Sequence, residues 1–481
     1  MNKTVIKSYV LQPMALLVIP IVLLLLGVDF LMVLAIEVLV LLCFACFKNI
    51  NENIFFLFFL ASFFIFLMSG DIVGAIFDRP YYIQFEEEAT THSRICILIC
   101  LIFLYLGYVL TSKKILKFQL NENKHVFDEN LVYRIRLVAR FVYYFTYIIL
   151  IINTLDVINF VRIHGYVEYY VSYDSFLPTI IAEFADFTPI ALCVFLATFP
   201  SKRECKSPII LYLVYSILTL FEGARSGLIY GVIFILAYLI YRNFKDKGRI
   251  VWISKKTVVV LCLSVPFLLV FLFLYDYIRA DAEIVFNSFF DSLLNFFVSI
   301  GSSSKVIKFG YVYKDTIDEI RWFSLGGTLN YFKYGTLFNL FDLSSIPGNH
   351  TVQFALESHS FDAYISYLTM SSDYLNGHGV GSSFIAELYA DFGYFGVAAG
   401  SAVYGMVFKR ISVLSEKHWF STSIKLYMFL KLISAPRAGF DGFISIIINI
   451  NYILIMAVIY IMACSLSRNK YKNAVVNSMG K

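Results

Sequence analysis

Long apolar stretches separated by short polar connections run along most of the chain. A membrane helix needs about 20 predominantly apolar residues. Stretches of roughly that length occur at 9–28, 30–47, 54–70, 95–112, 137–155, 179–199, 208–222, 226–241, 257–276, 383–408, 420–435 and 443–464. This pattern predicts an all-α, polytopic integral membrane protein with about twelve transmembrane helices.

The connection between the ninth and tenth stretches differs from the others. It covers 277–380, far more than the usual connection between helices, and it is rich in Phe, Tyr, Leu and Ile. Within it, 291–307 and 354–370 have the pattern of amphipathic helices that lie at a membrane surface. The expected organisation is spans 1–9, an outer segment of amphipathic helices, spans 10–12 and a basic tail, at 1–276, 277–380, 381–465 and 466–481.

The composition agrees with a membrane protein. Of 481 residues, 59% are hydrophobic and only 15% are charged, whereas about a quarter of a soluble protein is charged. The mean hydropathy is +0.75. These values exclude an ordinary soluble enzyme, a disordered protein and a nucleic-acid-binding protein.

The lysines and arginines of the connections predict the orientation. Cytoplasmic connections carry an excess of basic residues, and the basic clusters recur on one side of the predicted spans. Their members are Lys3, Lys7, Lys113, Lys114, Lys117, Lys124, Arg134, Arg136, Lys202, Arg203, Lys206, Arg242, Lys245, Lys247, Arg249, Lys255, Lys256, Lys409, Arg410, Lys417, Arg468, Lys470 and Lys472. Both termini are therefore expected in the cytoplasm, and 277–380 on the opposite, outer face.

In the short outer connections every basic residue is an arginine. The set consists of Arg79, Arg94, Arg162, Arg225 and Arg437. A guanidinium group matches two phosphate oxygens with a planar fork, so the pattern indicates a phosphate or pyrophosphate ligand, which Arg279 and Arg321 of the outer segment could join. The alternative is orientation bias together with local ion pairs, such as Asp78 with Arg79.

Arg225 is the strongest member of this set. It lies in a very short turn, 221–227, between two predicted spans, which places an ionisable group at the membrane boundary. Such groups are costly there and are usually functional. The alternative is that Glu222 simply neutralises Arg225.

A second group of polar residues opens the tenth predicted span. Glycines alternate in the turn 377–381, and Glu387 and Asp391 follow four residues apart on one helical face. Carboxylates within a span normally face a water-filled cavity or the bundle interior, so one of them could be a general base. Pairing with an arginine of a neighbouring helix is the alternative.

Three histidines, His350, His359 and His378, fall in the second half of the outer segment. Their spacings of nine and nineteen residues match no recognised metal-ligand pattern, and no nucleotide-binding fingerprint is present. We expect no metal and no cofactor. A histidine is instead a candidate base or a donor to phosphate or sugar, and the substrate is expected to be a lipid-linked donor that its own pyrophosphate activates.

These features together resemble the O-antigen polymerase (Wzy) family of bacterial surface-polysaccharide polymerases. The resemblance rests on the twelve-span plan with its outer segment, the Gly-Ala-Arg-Ser-Gly turn at 223–227, and Gly-Val-Gly-Ser-Ser at 379–383 followed by Glu-Leu-Tyr at 387–389. It implies glycosyl transfer on the periplasmic face of the bacterial inner membrane, from a glycan on undecaprenyl pyrophosphate to the next lipid-linked repeat unit. Related O-antigen ligases and polysaccharide flippases or other transporters remain alternatives.

The resemblance also implies roles for the residues above. Arginines would hold the departing pyrophosphate, with Arg225 joined by Arg79, Arg279, Arg321 and Arg437. His378 would be the first candidate for the base, ahead of Glu387 and Asp391, while His350 and His359 would contact sugar. The expected partners are the lipid-linked oligosaccharide and membrane lipid, with a chain-length regulator protein as a further candidate.

Overall fold

A computed structural model describes residues 16, 18–79, 83–121, 128–246, 249–279, 283, 286–317, 321–334 and 348–479, and at 112–121 and 467–479 it describes the backbone alone. Every regular element within these residues is a helix. The prediction of an all-α protein agrees with this architecture.

Eight helices are long and apolar enough to cross a membrane. They correspond in order to the second to ninth predicted spans, and their bounds are Phe30–Lys48, Ile50–Phe77, Glu87–Thr111, Glu129–His164, Thr179–Ala197, Lys202–Phe221, Arg225–Lys245 and Lys255–Arg279. The first predicted span begins outside the described residues. The finding supports a polytopic membrane protein, while the number twelve stays a prediction.

The last three predicted spans are helical but less regular. Phe384–Ile411 bends at Gly393, whose φ of 60° and ψ of −152° are not helical, and we refer to it as the kinked helix. Trp419–Leu432 has 14 residues, and the apolar part of the last helix covers Ile450–Leu466. Trp419–Leu432 and the apolar part of the last helix are shorter than the eight spanning helices, whereas the kinked helix is bent and carries Glu387 and Asp391 near its beginning.

The outer segment consists of short helices. The predicted helix at 291–307 is divided between Phe289–Gly301 and Lys305–Val312 by a 3-10 turn, Ser302–Ser304. The other short helices are Gly326–Tyr334, Val352–Glu357, Phe361–Thr369 and Ser371–Leu375. Phe289–Gly301 packs against Ser69–Phe77 and Lys255–Arg279, so part of this segment is joined to the helices that flank it.

The chain divides into two compact units. The first comprises Met1–Ile115, Ala237–Ser412 and Leu432–Gly442, and the second comprises Leu116–Leu236, Val413–Lys431 and Phe443–Lys481. In the second unit, Glu129–His164 packs against Phe187–Ala197 and Ile450–Met479. Tyr143 and Tyr147 of that long helix donate hydrogen bonds of 2.9 Å to backbone carbonyls of Lys202–Phe221.

Aromatic packing holds the kinked helix in the first unit. Phe408 lies against Phe56 and Phe59 of Ile50–Phe63, with ring centroids 5.2 and 4.3 Å apart. On another side, a Cβ atom on Gly405 would lie 2.1 Å from the Leu104 carbonyl oxygen, so two helix backbones touch where a side chain would not fit. The C-terminal part of the kinked helix is therefore fixed on two sides. The polar residues Glu387 and Asp391 lie near its N-terminal end.

Candidate functional site

The glycine turn, 377–383, folds over the helix Phe361–Thr369. The Ser366 hydroxyl accepts a 2.9 Å hydrogen bond from the Val380 N–H, and the Gly381 N–H donates to the Asp362 carboxyl. Gly381 has a φ of 82°, a conformation that favours glycine. The turn therefore brings His378 into the neighbourhood of Asp362, a residue that the sequence did not single out.

Asp362 is exposed to solvent, yet protein surrounds its carboxyl closely. Desolvation by the surrounding protein raises the pKa of Asp362, against the lowering effects of hydrogen bonds from Ser366 and Gly381 and of the charges of His350 and Arg437. A carboxyl that is both accessible and poorly hydrated suits a proton acceptor. The same interactions place a histidine and an arginine predicted from the sequence beside it.

Arg437 acts electrostatically on Asp362 and also on a second cation, Lys305. Arg437 is exposed, and its guanidinium lies 5.4 Å from the centre of the Phe66 ring. Burial and the Arg437 charge lower the pKa of the half-buried Lys305. Within the described part of the chain neither side chain has a carboxylate within ion-pair distance. We call Arg437, Lys305 and Asp362 the charged cluster.

Three separate segments meet to form the charged cluster. The π-helical turn Phe64–Met68 packs against Ser302–Ser304, which precedes Lys305, and against Ala435–Arg437. Lys308, one turn beyond Lys305, is already neutralised by buried Asp71 at 3.4 Å. Two adjacent cations without such a partner repel each other, so an anion bound between them would be stabilised.

Glu387 connects the two turns of the site. One carboxylate oxygen accepts a 2.6 Å hydrogen bond from Ser382 of the glycine turn, and the other accepts a 2.8 Å bond from the Phe440 N–H, close to Arg437 in sequence. Glu387 is 5% exposed, and both oxygens are occupied. Its contacts are those of a positioning residue.

Asp391 and Asp441 hold a segment of the outer region, 321–334. Asp391 accepts hydrogen bonds from the Phe323 and Ser324 N–H groups at 2.9 and 2.7 Å. Asp441 accepts one from the Thr328 N–H. Asp391 therefore binds backbone amides at the beginning of a short helical segment, instead of the arginine that the sequence left open as its partner.

Most of the outer arginines are engaged in local contacts. Arg79 pairs with Asp291, Arg94 with Asp29 at 3.2 Å and Arg279 with Asp276 at 3.2 Å. Arg321 donates to the Ala355 carbonyl at 3.2 Å and lies over the Tyr364 ring. Arg437 is the member of the predicted pyrophosphate set that the structure places in the charged cluster.

The three histidines occupy different environments. His378 is exposed, whereas His350 donates from Nδ1 to the Tyr374 carbonyl at 2.7 Å. The Nδ1 atom of His359 accepts a 3.2 Å bond from the Trp322 N–H. Burial, Lys333 and Arg321 lower the pKa of His359 despite the opposing effect of Asp391. His350 and His378 therefore belong to the neighbourhood of Asp362, and His359 belongs to that of the segment 321–334.

Arg225 belongs to the second unit, where it begins the helix Arg225–Lys245. The preceding turn passes close to Tyr166, because a Cβ atom on Gly223 would lie 2.0 Å from its ring. Burial raises the pKa of Glu222 to about 7, although a hydrogen bond from Thr154 lowers it. Glu222 is therefore less readily ionised than an ordinary glutamate.

Sequence reasoning missed Lys305 and Asp362 for different reasons. The search for phosphate ligands followed the short outer connections, in which every basic residue is an arginine, so the lysines of the outer segment were not considered. Nothing near Lys305 in sequence marks it as close to Arg437. Asp362 is one acidic residue among several on short amphipathic helices. A spacing of four residues to Ser366 was its only local signal, and its contact with the glycine turn depends on the tertiary fold.

Comparison with known proteins gives one match that covers nearly the whole chain. The profile described as O-antigen polysaccharide polymerase Wzy matches residues 5–470. No curated protein and no solved structure matches the chain.

Proposed function

The chain belongs to the O-antigen polysaccharide polymerase Wzy family, and from this premise we propose that it joins lipid-linked oligosaccharide repeat units on the periplasmic face of the bacterial inner membrane. The donor is a growing glycan on undecaprenyl pyrophosphate, and the acceptor is the non-reducing end of the next lipid-linked repeat unit. The enzyme is thus a membrane glycosyltransferase that needs no metal or cofactor, and a chain-length regulator protein is a further proposed partner.

The charged cluster carries this proposal, because it combines an anion site with a proton acceptor. In the reaction, the acceptor hydroxyl oxygen forms a bond to the anomeric carbon of the donor. The bond from that carbon to the pyrophosphate oxygen breaks, and undecaprenyl pyrophosphate leaves with the bonding electrons. Asp362 takes the hydroxyl proton, while the Arg437 fork and Lys305 stabilise the charge on the leaving group.

The residues predicted from the sequence have supporting roles in this scheme. His378, exposed on the glycine turn, is the second candidate for the proton acceptor, and His350 is the other histidine near Asp362. Glu387 holds the two turns together. That Arg225 binds pyrophosphate stays a prediction from the sequence.

The surface polysaccharide of a strain lacking this gene tests the proposed function. We expect the lipopolysaccharide to lose its ladder on a silver-stained gel and to retain a single repeat unit on the core, with the ladder restored by a plasmid copy. Loss of that single unit as well would assign the chain to ligation or transport instead.

The same complemented strain tests the periplasmic placement. A periplasm-dependent alkaline phosphatase inserted near Asp315 is expected to be active, because the basic clusters flanking the outer segment are cytoplasmic. Activity of a cytoplasm-dependent reporter at that position would overturn the orientation and the location of the chemistry.

A further inference from the structure

A cavity of about 400 Å³ lies in the first unit, apart from the charged cluster. The helices Glu87–Asn121 and Lys305–Val312 and the kinked helix contribute its walls. Its lining includes Glu87, Glu88, Thr91, His92, Tyr311 and Tyr394. Neither the outer arginines nor the residues of the glycine turn take part in it.

The aromatic wall of this cavity is rigid. His92, only 2% exposed, shares a 2.8 Å hydrogen bond between its Nδ1 atom and the Tyr394 hydroxyl. Its ring stacks on Tyr311, with centroids 4.6 Å apart, and contacts the edge of Tyr389 at 4.2 Å. Both tyrosine rings that line the cavity are therefore held in place by a buried histidine.

The polar wall is acidic. Glu87 and Glu88 are exposed, and within the described part of the chain neither forms an ion pair. A cation, Lys314, lies 4.2 Å from the centre of the Tyr311 ring. Two carboxylates accept hydrogen bonds from neutral or cationic donors and repel anions.

We propose that this cavity binds a neutral or amino sugar of the lipid-linked repeat unit. A pyranose ring has an apolar C–H face, which suits a fixed aromatic ring, and hydroxyl groups at its edge, which suit carboxylate acceptors. Pockets of this kind combine apolar walls with a few polar groups that fix orientation. The two glutamates would exclude uronic acids and phosphorylated sugars.

The position of the cavity relative to the charged cluster supports this ligand and rests on the proposed function. Lys305 and Tyr311 lie on one helix, six residues and about 9 Å apart. Glu387 and Tyr394 likewise lie on either side of the bend in the kinked helix. Two helices thus connect the charged cluster and the cavity, and a lipid-linked glycan long enough to extend from one to the other would occupy both.

Saturation-transfer NMR on the purified full-length protein in detergent micelles tests the proposal independently of catalysis. The probe is the oligosaccharide repeat unit released from its lipid by mild acid. We expect the wild type to transfer saturation to the sugar ring protons, and Tyr394→Ala to bind about tenfold more weakly because one aromatic contact is lost. The double substitution Glu87→Gln and Glu88→Gln changes only exposed side chains and is expected to weaken binding to a similar extent.

Tyr105→Ala is the matched control. Tyr105 lies on the same helix as His92 and is 40% exposed, compared with 41% for Tyr394, but it does not line the cavity. Binding by this variant should equal that of the wild type.

The gel ladder separates the two hypotheses. If the wild type makes a ladder but Tyr394→Ala and the double glutamine variant bind the oligosaccharide as the wild type does, the cavity is not a sugar site. If the deletion strain keeps its ladder, the proposed function fails, while the NMR comparison still decides whether this cavity binds sugar.

Discussion

Replacing Arg437 by lysine will remove most of the polymerised surface polysaccharide, although the positive charge is retained. The proposed role requires two parallel hydrogen bonds to the oxygens of the leaving pyrophosphate, and an ammonium group cannot supply this planar fork. Loss of one donor that stabilises a developing oxyanion typically costs about a hundredfold to a thousandfold in rate. The ladder of the complemented deletion strain, compared at equal protein level, measures the effect.

Arg79→Lys is the matched control for this substitution. Arg79 is also an outer arginine and was predicted from the sequence to bind pyrophosphate, but it pairs with Asp291 and donates to Asn295 at 3.1 Å. Both partners are partly exposed, so the lysine variant should keep its fold and its ladder. Equal ladders from the two variants would remove Arg437 from the site, and equal losses would restore Arg79 to the pyrophosphate set.

The neighbouring Lys305 explains why substitution of Arg437 is expected to have a large effect on polymerisation. Burial and the charge of Arg437 lower the pKa of Lys305, so the charged form of this lysine is less favourable here than in water. A bound pyrophosphate would make the charged form of Lys305 favourable again. The two cations therefore act as one unit, and substitutions of both are expected to be less than additive in their effect on rate.

The membrane architecture could be predicted well from the sequence because apolar length is a local property. Eight predicted spans reappear as helices of spanning length and composition. The predicted amphipathic helix at 291–307 was less accurate, since the three consecutive serines, Ser302–Ser304, form a 3-10 turn between two helices. Serine competes for backbone hydrogen bonds and favours such interruptions.

The ion pairs could not be predicted because their partners are distant in sequence. Arg79 and Asp291 are separated by 212 residues, and the sequence offered Asp78 as the nearest partner instead. Without the fold, nothing in the sequence distinguished Arg437 from Arg79. The tertiary contacts distinguish Arg437, which stands beside Asp362 and Lys305, from those that hold the structure together.

The hydrogen-bond partners of the carboxylates on the kinked helix could not be predicted from the sequence either. Their spacing correctly places Glu387 and Asp391 on neighbouring turns, but spacing says nothing of the groups that approach them. Both receive hydrogen bonds from backbone amides, a partner that no sequence pattern identifies. Glu387 is buried and Asp391 is half-buried, whereas Asp362 is exposed and is therefore more accessible to an acceptor hydroxyl.

Asp362→Asn is expected to reduce polymerisation by about a hundredfold or more, since removal of a general base typically costs 10² to 10⁴ in rate. The amide keeps the size of the side chain and still accepts a hydrogen bond, so the glycine turn should remain folded. Asp373→Asn is the matched control, because Asp373 is an exposed carboxylate whose backbone carbonyl also holds the glycine turn, through the His378 N–H at 2.9 Å. Its ladder should equal that of the wild type.

The pH dependence of the wild-type enzyme gives an independent check on Asp362. A base works when it is deprotonated, so a pKa raised by desolvation moves the loss of activity on acidification to higher pH than an ordinary aspartate would give. Bound pyrophosphate cancels part of the Arg437 charge that now lowers this pKa, and it therefore raises the pKa further.

The pH profile of purified enzyme acting on lipid-linked repeat unit measures this shift. The loss of kcat on acidification should occur at higher pH than the loss of kcat/KM, and Asp362→Asn should abolish both pH dependences. A variant His378→Ala that loses both pH dependences while Asp362→Asn retains them would assign the proton transfer to His378, because the exposed imidazole would then be the group that titrates with activity.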